Sequence, residues 1–204
     1  MNGIFTEEVI KSFCDTGKIS VSATPDEARD IILLSMENTI RFNGIVKHQW
    51  SILQHSWMVG ILAADYALTA MEDEKGQACA RIAGMMHDMG EVIVGDVVWP
   101  LKSGCFEKGY DELYRPLEKA FCKWAAGYVF GVDAFEEKYR MASKYVEKAD
   151  EFMGTLEMFG VSKIADYGFS KYANVIFENV LPPSRERFRE TIKQMKEILQ
   201  DVKK

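Results

Sequence analysis

The chain has 204 residues, 48% hydrophobic and 27% charged, with a formal net charge of −6; that is enough to bury a core without disulfides or a structural metal. The acidic balance argues against a nucleic-acid partner, which needs a concentrated basic face. Cys14, Cys79, Cys105 and Cys122 form no CxxC pair, no apolar run approaches 18 residues and MNGIFTEEVIKSF has no basic or long apolar segment, so a cytoplasmic protein without membrane partners is expected.

The first 23 residues predict a brief helix and an irregular lead-in around Gly17. Thr24-Pro25-Asp26-Glu27 then supplies a cap, a proline at the first helical position and acids in the first turn. A helix to about Arg41 follows, with Ala28, Ile31, Ile32 and Met36 inward and Asn43-Gly44 as its stop. After a loop through His48 and Trp50, His55, Val59, Leu62 and Tyr66 recur at helical spacing and predict a second helix from about Ser51 to Met71. A third runs from about Gly76 to Met89 with Cys79, Ile82, Ala83 and Met86 inward, and Gly90 ends or loosens it.

Val92 to Gly104 is short of helix signals and predicts a loop. A fourth helix is expected from about Phe106 past Phe121, carrying Leu113, Leu117, Phe121 and Trp124, with Pro116 as a kink. A long fifth helix starts near Asp133 and includes Tyr139, Ala142, Val146, Ala149, Asp150, Met153, Leu156 and Glu157. Lys171 to Val180 predicts a short helix; Pro182-Pro183 breaks the chain, and Ser184 caps a final amphipathic helix to about residue 201. Its stripe of Phe188, Ile192, Met195 and Leu199 either closes the bundle or offers a homodimer face. With no repeat or linker, the expectation is one all-α bundle over residues 1–204.

The chemistry concentrates in Met85 to Lys102, where His87 and Asp88 follow an apolar run and precede Glu91, Gly95-Asp96 and Pro100-Leu101-Lys102. Adjacent residues of a helix point about 100° apart, so His87 and Asp88 share an ion only if it lies between their directions. His55 and Asp150 each sit on the apolar stripe of another predicted helix. Burying an unsatisfied polar group costs roughly 2 to 7 kcal/mol, and a lone charge more. Each residue has an ordinary reading: His55 as a satisfied core histidine, Asp150 in a salt bridge with Lys148 or Arg140, His87-Asp88 as a hydrogen-bonded helix end. Several helices burying such groups together favour a shared cation, with open positions for water and substrate.

Arg41-Phe42-Asn43-Gly44, Ser51-Ile52-Leu53-Gln54-His55-Ser56, His87-Asp88-Met89-Gly90-Glu91 with Gly95-Asp96 and Pro100-Leu101-Lys102, and Lys148-Ala149-Asp150 with Glu157 occur in that order. Over about residues 35–160 this set resembles the HD-domain phosphohydrolase superfamily, nearest its bacterial and phage branch of deoxyribonucleoside 5'-monophosphate nucleotidases. The resemblance implies an HD-type helical bundle in which His55, His87, Asp88 and Asp150 hold one divalent metal ion, whether Mn, Co, Mg, Ni, Fe or Zn. It implies that Glu91 handles protons at the attacking water or leaving oxygen, that Asp96 assists, and that Arg41 binds phosphate as a planar fork. Lys102 is a further anion candidate, while Phe42 and Trp50 are candidates to contact sugar or base, with core packing as their alternative.

Two departures stand out: Gln54 replaces a glutamate common in relatives, which predicts a changed orientation of His55, and Phe42 replaces a tryptophan, which leaves sugar selectivity open. His48, His55 and His87 are the only histidines, too few for the two-metal phosphodiesterases of the superfamily. The implied activity is removal of the 5'-phosphate from a deoxynucleoside monophosphate. A deoxynucleoside triphosphate triphosphohydrolase would use the same metal set with a longer anion pocket, recruiting Lys102 or Lys47. A catalytically inactive binding module is the non-enzymatic alternative.

Overall fold

The computed structural model describes residues 7–41, 50–95, 114–160 and 183–200. Every regular element among them is helical, beside one isolated antiparallel bridge between Ile40 and Ser51. No helix among the described residues is long and apolar enough to cross a membrane.

Helix α1 (Glu7–Thr16) is followed by Gly17 at φ 68°. Helix α2 (Pro25–Asn38) starts in a full capping box: the Thr24 hydroxyl accepts from the Glu27 N–H, and the Glu27 carboxylate accepts from the Thr24 N–H. It ends before Arg41, because the chain turns extended and pairs with the segment leading into α3. The Arg41 N–H donates to the Trp50 carbonyl at 2.9 Å, and the Ile52 N–H to the Thr39 carbonyl at 3.0 Å. This bridge sets Arg41 and Trp50 side by side at the mouth of α3.

Helices α3 (Ile52–Thr69) and α4 (Glu74–Met86) pack along each other, and α7 (Phe135–Gly160) packs on both. The close approach of α3 and α4 depends on two glycines: a Cβ on Gly84 would lie 2.8 Å from the Gly60 Cα, and one on Gly60 2.5 Å from the Met85 Cγ. Around them Val59, Ala63, Ala67, Ala80 and Ala83 meet Ala142, Val146 and Ala149 of α7. Leu53 and Trp57 belong to a second apolar cluster with Ile32, Met36, Phe121 and Phe188. Helix α3 is therefore covered from two sides, and a polar residue inside it must find its partners within the protein.

Three expectations change. Gln54 closes the α3 capping box, its side-chain oxygen accepting from the Ser51 N–H at 2.8 Å, so it serves the helix end and does not orient His55. The loop expected from Val92 opens with a one-turn helix, α5 (Glu91–Val94), closed by Gly95 at φ 79°. Pro116 lies in the first turn of α6 (Arg115–Trp124); a proline there lacks an N–H that had no helical partner anyway, so it starts the helix and does not kink it. The irregularity comes later, as a π-helical turn at Ala125–Val129.

The final helix, α8 (Arg185–Gln200), is capped by Ser184, whose hydroxyl accepts from the Arg187 N–H at 3.1 Å. Phe188 and Ile192 are buried, and Met195 and Leu199 pack against the same core. That stripe is occupied within the chain. The helix expected over Lys171 to Val180 and the start of the expected fourth helix lie outside the described residues.

Candidate metal centre

Three helices deliver the polar cluster. His55 enters from the first turns of α3, His87 and Asp88 follow the last turn of α4, and Asp150 projects from the middle of α7. The turn after α4 is braced against α6: the Gly90 N–H donates to the Cys122 sulfur at 3.2 Å, and a Cβ on Gly90 would lie 2.7 Å from the Glu118 Cα. The Cys122 thiol is itself buried, which pushes its pKa up to about 12, so it stays protonated and structural.

His55 Nε2 lies 3.0 Å from Asp150 Oδ1 and 3.3 Å from Asp88 Oδ2. His87 Nε2 lies 3.2 Å from Asp88 Oδ1 and 3.7 Å from Asp150 Oδ1. The two rings are 5.3 Å apart between centroids. Both Nε2 atoms are buried without a directed hydrogen bond, and ligand atoms of His55, His87 and Asp88 lie within 4.8 Å of one another.

The opposite ring nitrogens are tied down. His87 Nδ1 donates to the Gly84 carbonyl at 2.7 Å, and His55 Nδ1 to Glu157 Oε1 at 2.6 Å. With Nδ1 held as the donor, Nε2 of each ring is the nitrogen turned toward the carboxylates, and the one left to bind a cation once its proton is displaced. Two imidazole nitrogens left without a directed hydrogen bond, facing two carboxylates, fit a divalent cation of borderline character.

Electrostatics point the same way. Burial and the nearby Arg41 work against a charged His55, yet Glu157 and Asp150 outweigh them and carry its pKa to about 10. Burial likewise disfavours a charged His87, and Asp88 with Asp150 overcomes it, raising the pKa. Asp88 and Asp150 are pushed upward by burial and pulled further down by the two imidazoles, so both remain carboxylates. The acidic cluster draws positive charge to itself, and a cation answers that demand.

Beside the cluster Arg41 reaches Asp88 Oδ2 at 3.1 Å through Nη1, Glu91 Oε2 at 3.8 Å through the same nitrogen, and Glu157 Oε2 at 3.0 Å through Nε. Glu91 is buried on α5, one helical turn beyond His87. Trp50 is also buried, its indole N–H donating to Glu157 Oε1 at 2.7 Å. The structure thus gathers His55, His87, Asp88, Asp150, Arg41, Glu91 and Trp50. Phe42, Lys47, Asp96 and Lys102 lie outside the described residues.

Sequence reasoning assigned no role to Glu157, the residue on which His55, Trp50 and Arg41 converge. Its signal was its position seven residues after Asp150, two turns along the same face of α7. The Gly84 carbonyl behind His87 had no sequence signal, since a backbone oxygen belongs to every residue.

A helical bundle with paired histidines and aspartates around one ion-sized point defines a class of metal-site proteins. The chain belongs to the HD-domain family: the profile of the HD domain matches residues 38–196. Within that domain His87 and Asp88, with His55, form a candidate site for a divalent metal ion. Among solved structures, the cyanophage S-2L HD phosphohydrolase DatZ, bound to dA and one catalytic Zn2+ ion, is similar at 14% identity and a TM-score of 0.49, over 91% of this chain and 99% of that one. No curated protein matches the sequence.

Proposed function

We propose that this protein removes the 5'-phosphate from a deoxynucleoside monophosphate, with His55, His87, Asp88 and Asp150 holding the metal. The observation that carries the reading is the convergence of both Nε2 atoms and two carboxylates beside the Arg41 guanidinium. A divalent cation in this place supplies Lewis acidity toward water and phosphoryl oxygens.

The protein's own residues do the rest. Arg41 presents a permanent planar charge next to the cluster, suited to the equatorial oxygens of a phosphoryl group as negative charge spreads over them. Glu91 is buried close to that guanidinium, within reach of the same anion, and is assigned the proton at the attacking water or leaving oxygen. Asp96 is assigned to assist it. Phe42 and Lys102 are assigned to the nucleotide; a triphosphohydrolase would use the same metal set, so the products formed separate the two.

The test is product analysis. Purified protein loaded in turn with Mn, Co, Mg or Zn is incubated with dAMP, AMP and dATP, and phosphate, pyrophosphate and triphosphate are quantified. Phosphate released from dAMP, with little from AMP, is the expected result. Triphosphate from dATP alone would replace the proposal with the triphosphohydrolase reading, and no product with any ion would point to a binding module.

A further inference from the structure

We infer that Glu157 is a positioning residue that joins the metal side of this site to its anion side, an inference that rests on the function proposed above. Glu157 is fully buried in α7, and its two oxygens divide three donors between them. Oε1 accepts from His55 Nδ1 at 2.6 Å and from the Trp50 indole N–H at 2.7 Å, while Oε2 accepts from Arg41 Nε at 3.0 Å.

Each bond has a separate consequence. The bond to His55 keeps the proton on Nδ1 and aims Nε2 at Asp88 and Asp150. The bond to Arg41 engages Nε, the inner nitrogen of the guanidinium, fixing the plane of the group while Nη1 faces Asp88 and Glu91. The fork is thus oriented before any phosphate arrives. The bond to Trp50 anchors the strand-like bridge that carries Arg41, because Trp50 also accepts the Arg41 backbone N–H.

His87 makes an instructive contrast. Its Nδ1 is held by the Gly84 backbone carbonyl, so no side-chain change at Glu157 touches it. Loss of the Glu157 charge should therefore disturb His55 and Arg41 together and leave His87 in place. A residue that merely fills space or neutralises Arg41 would not link those two effects.

The experiment compares wild type with Glu157→Gln, which keeps the shape of the side chain. Three quantities are read: Co2+ affinity by competition with a chelator, kcat and KM for the nucleotide substrate, and the imidazole Nδ1 proton resonances of the metal-free proteins. The expected results are a low-field Nδ1 proton of His55 in wild type that moves upfield in the variant while that of His87 stays, Co2+ affinity lower by about tenfold to a hundredfold, and a raised KM. A wild-type His55 without an Nδ1 proton, or a variant that binds Co2+ as wild type does with the His55 resonance unmoved, overturns the assignment. If the variant fails to fold, the low-field position of the wild-type His55 Nδ1 proton still reports the bond to Glu157, and an ordinary position or an absent proton overturns the assignment. Wild-type protein that binds Co2+ but hydrolyses no nucleotide would defeat the proposed function alone, because Co2+ affinity and the His55 resonance still report on Glu157.

Discussion

The α3–α4 pair is packed by opposite rules along its length. From Ala67 and Ala80 at its apolar end up to Gly60 and Gly84, small residues let the backbones approach until they touch. Those contacts are non-directional, and their strength lies in density. At the polar end, about one turn beyond the two glycines, His55, His87 and Asp88 meet Asp150 and Glu157 of α7, and every contact depends on direction and charge. The apolar packing fixes the helix spacing, and the polar end uses it. Buried ionic groups add little net stability of their own, so the precision of the cluster is borrowed from the dry contact next to it.

His87→Ala should break the polar end alone. Metal-dependent hydrolysis is expected to fall by about a thousandfold or more, since the cation's charge stabilisation is worth several kcal/mol, and bound metal measured after dialysis should fall with it. The unfolding temperature of the metal-free protein should stay within about 4 °C of wild type; a global loss of fold would show that the two ends are not separable.

Gly84→Val attacks the apolar packing next to the cluster. A side chain there meets the Gly60 backbone, and overpacking of this kind costs about 1–3 kcal/mol, or about 2 to 12 °C in a chain of this size. Because the Gly84 carbonyl also holds His87, metal affinity should weaken as well. An unchanged melting profile would count against the close crossing.

Proton linkage sharpens the comparison, since the polar end holds the buried histidines with their facing carboxylates. His55, faced by Asp88, Asp150, Glu157, Arg41 and His87, has a folded pKa of about 10 against an ordinary 6.5. A raised pKa means its stabilisation is complete below about pH 6.5 and disappears as pH rises toward 10. The depressed carboxylates of Asp88 and Asp150 act in the opposite sense, stabilising above about pH 4 and losing that effect in acid. Metal-free protein should therefore melt highest between about pH 4 and 6.5. Excess divalent cation should displace the imidazole protons and move that optimum upward. Thermal unfolding across pH, with and without chelator, checks this, and identical profiles would refute it.

The smallest effect is expected from Gln54→Glu. Gln54 sits next to His55 in sequence but belongs to the helix cap, so metal affinity and kcat should be retained. An acid at this position of the cap adds about 0.3–1 kcal/mol through the helix dipole, visible as a slightly higher melting temperature. Altered metal affinity would return Gln54 to the role first expected of it.

The legible parts of this protein were those written locally. Thr24 with Glu27 and Ser184 with Arg187 mark helix starts through bonds spanning three residues, so short stretches of sequence announce them. His55, His87, Asp88 and Asp150 were readable because ionisable groups on apolar helix faces demand a partner. Pro116 was misread because a helix-starting and a helix-kinking proline differ only in where the helix begins. The Ile40–Ser51 bridge and the Arg41–Glu157 pair had no local mark.

By itself, then, the sequence determined which ionisable side chains fall on apolar helix faces, because periodicity and side-chain chemistry are properties of the chain; Asp150, expected in the core, keeps 46% of its side chain exposed. Only the tertiary structure decided who answers each of them: Glu157 behind His55, a backbone carbonyl behind His87, and Arg41 set against Asp88, Glu91 and Glu157. The physical reason is range. Helix propensity and capping act over a few residues, whereas these partners are brought together across much of the chain by the packing of α3, α4 and α7.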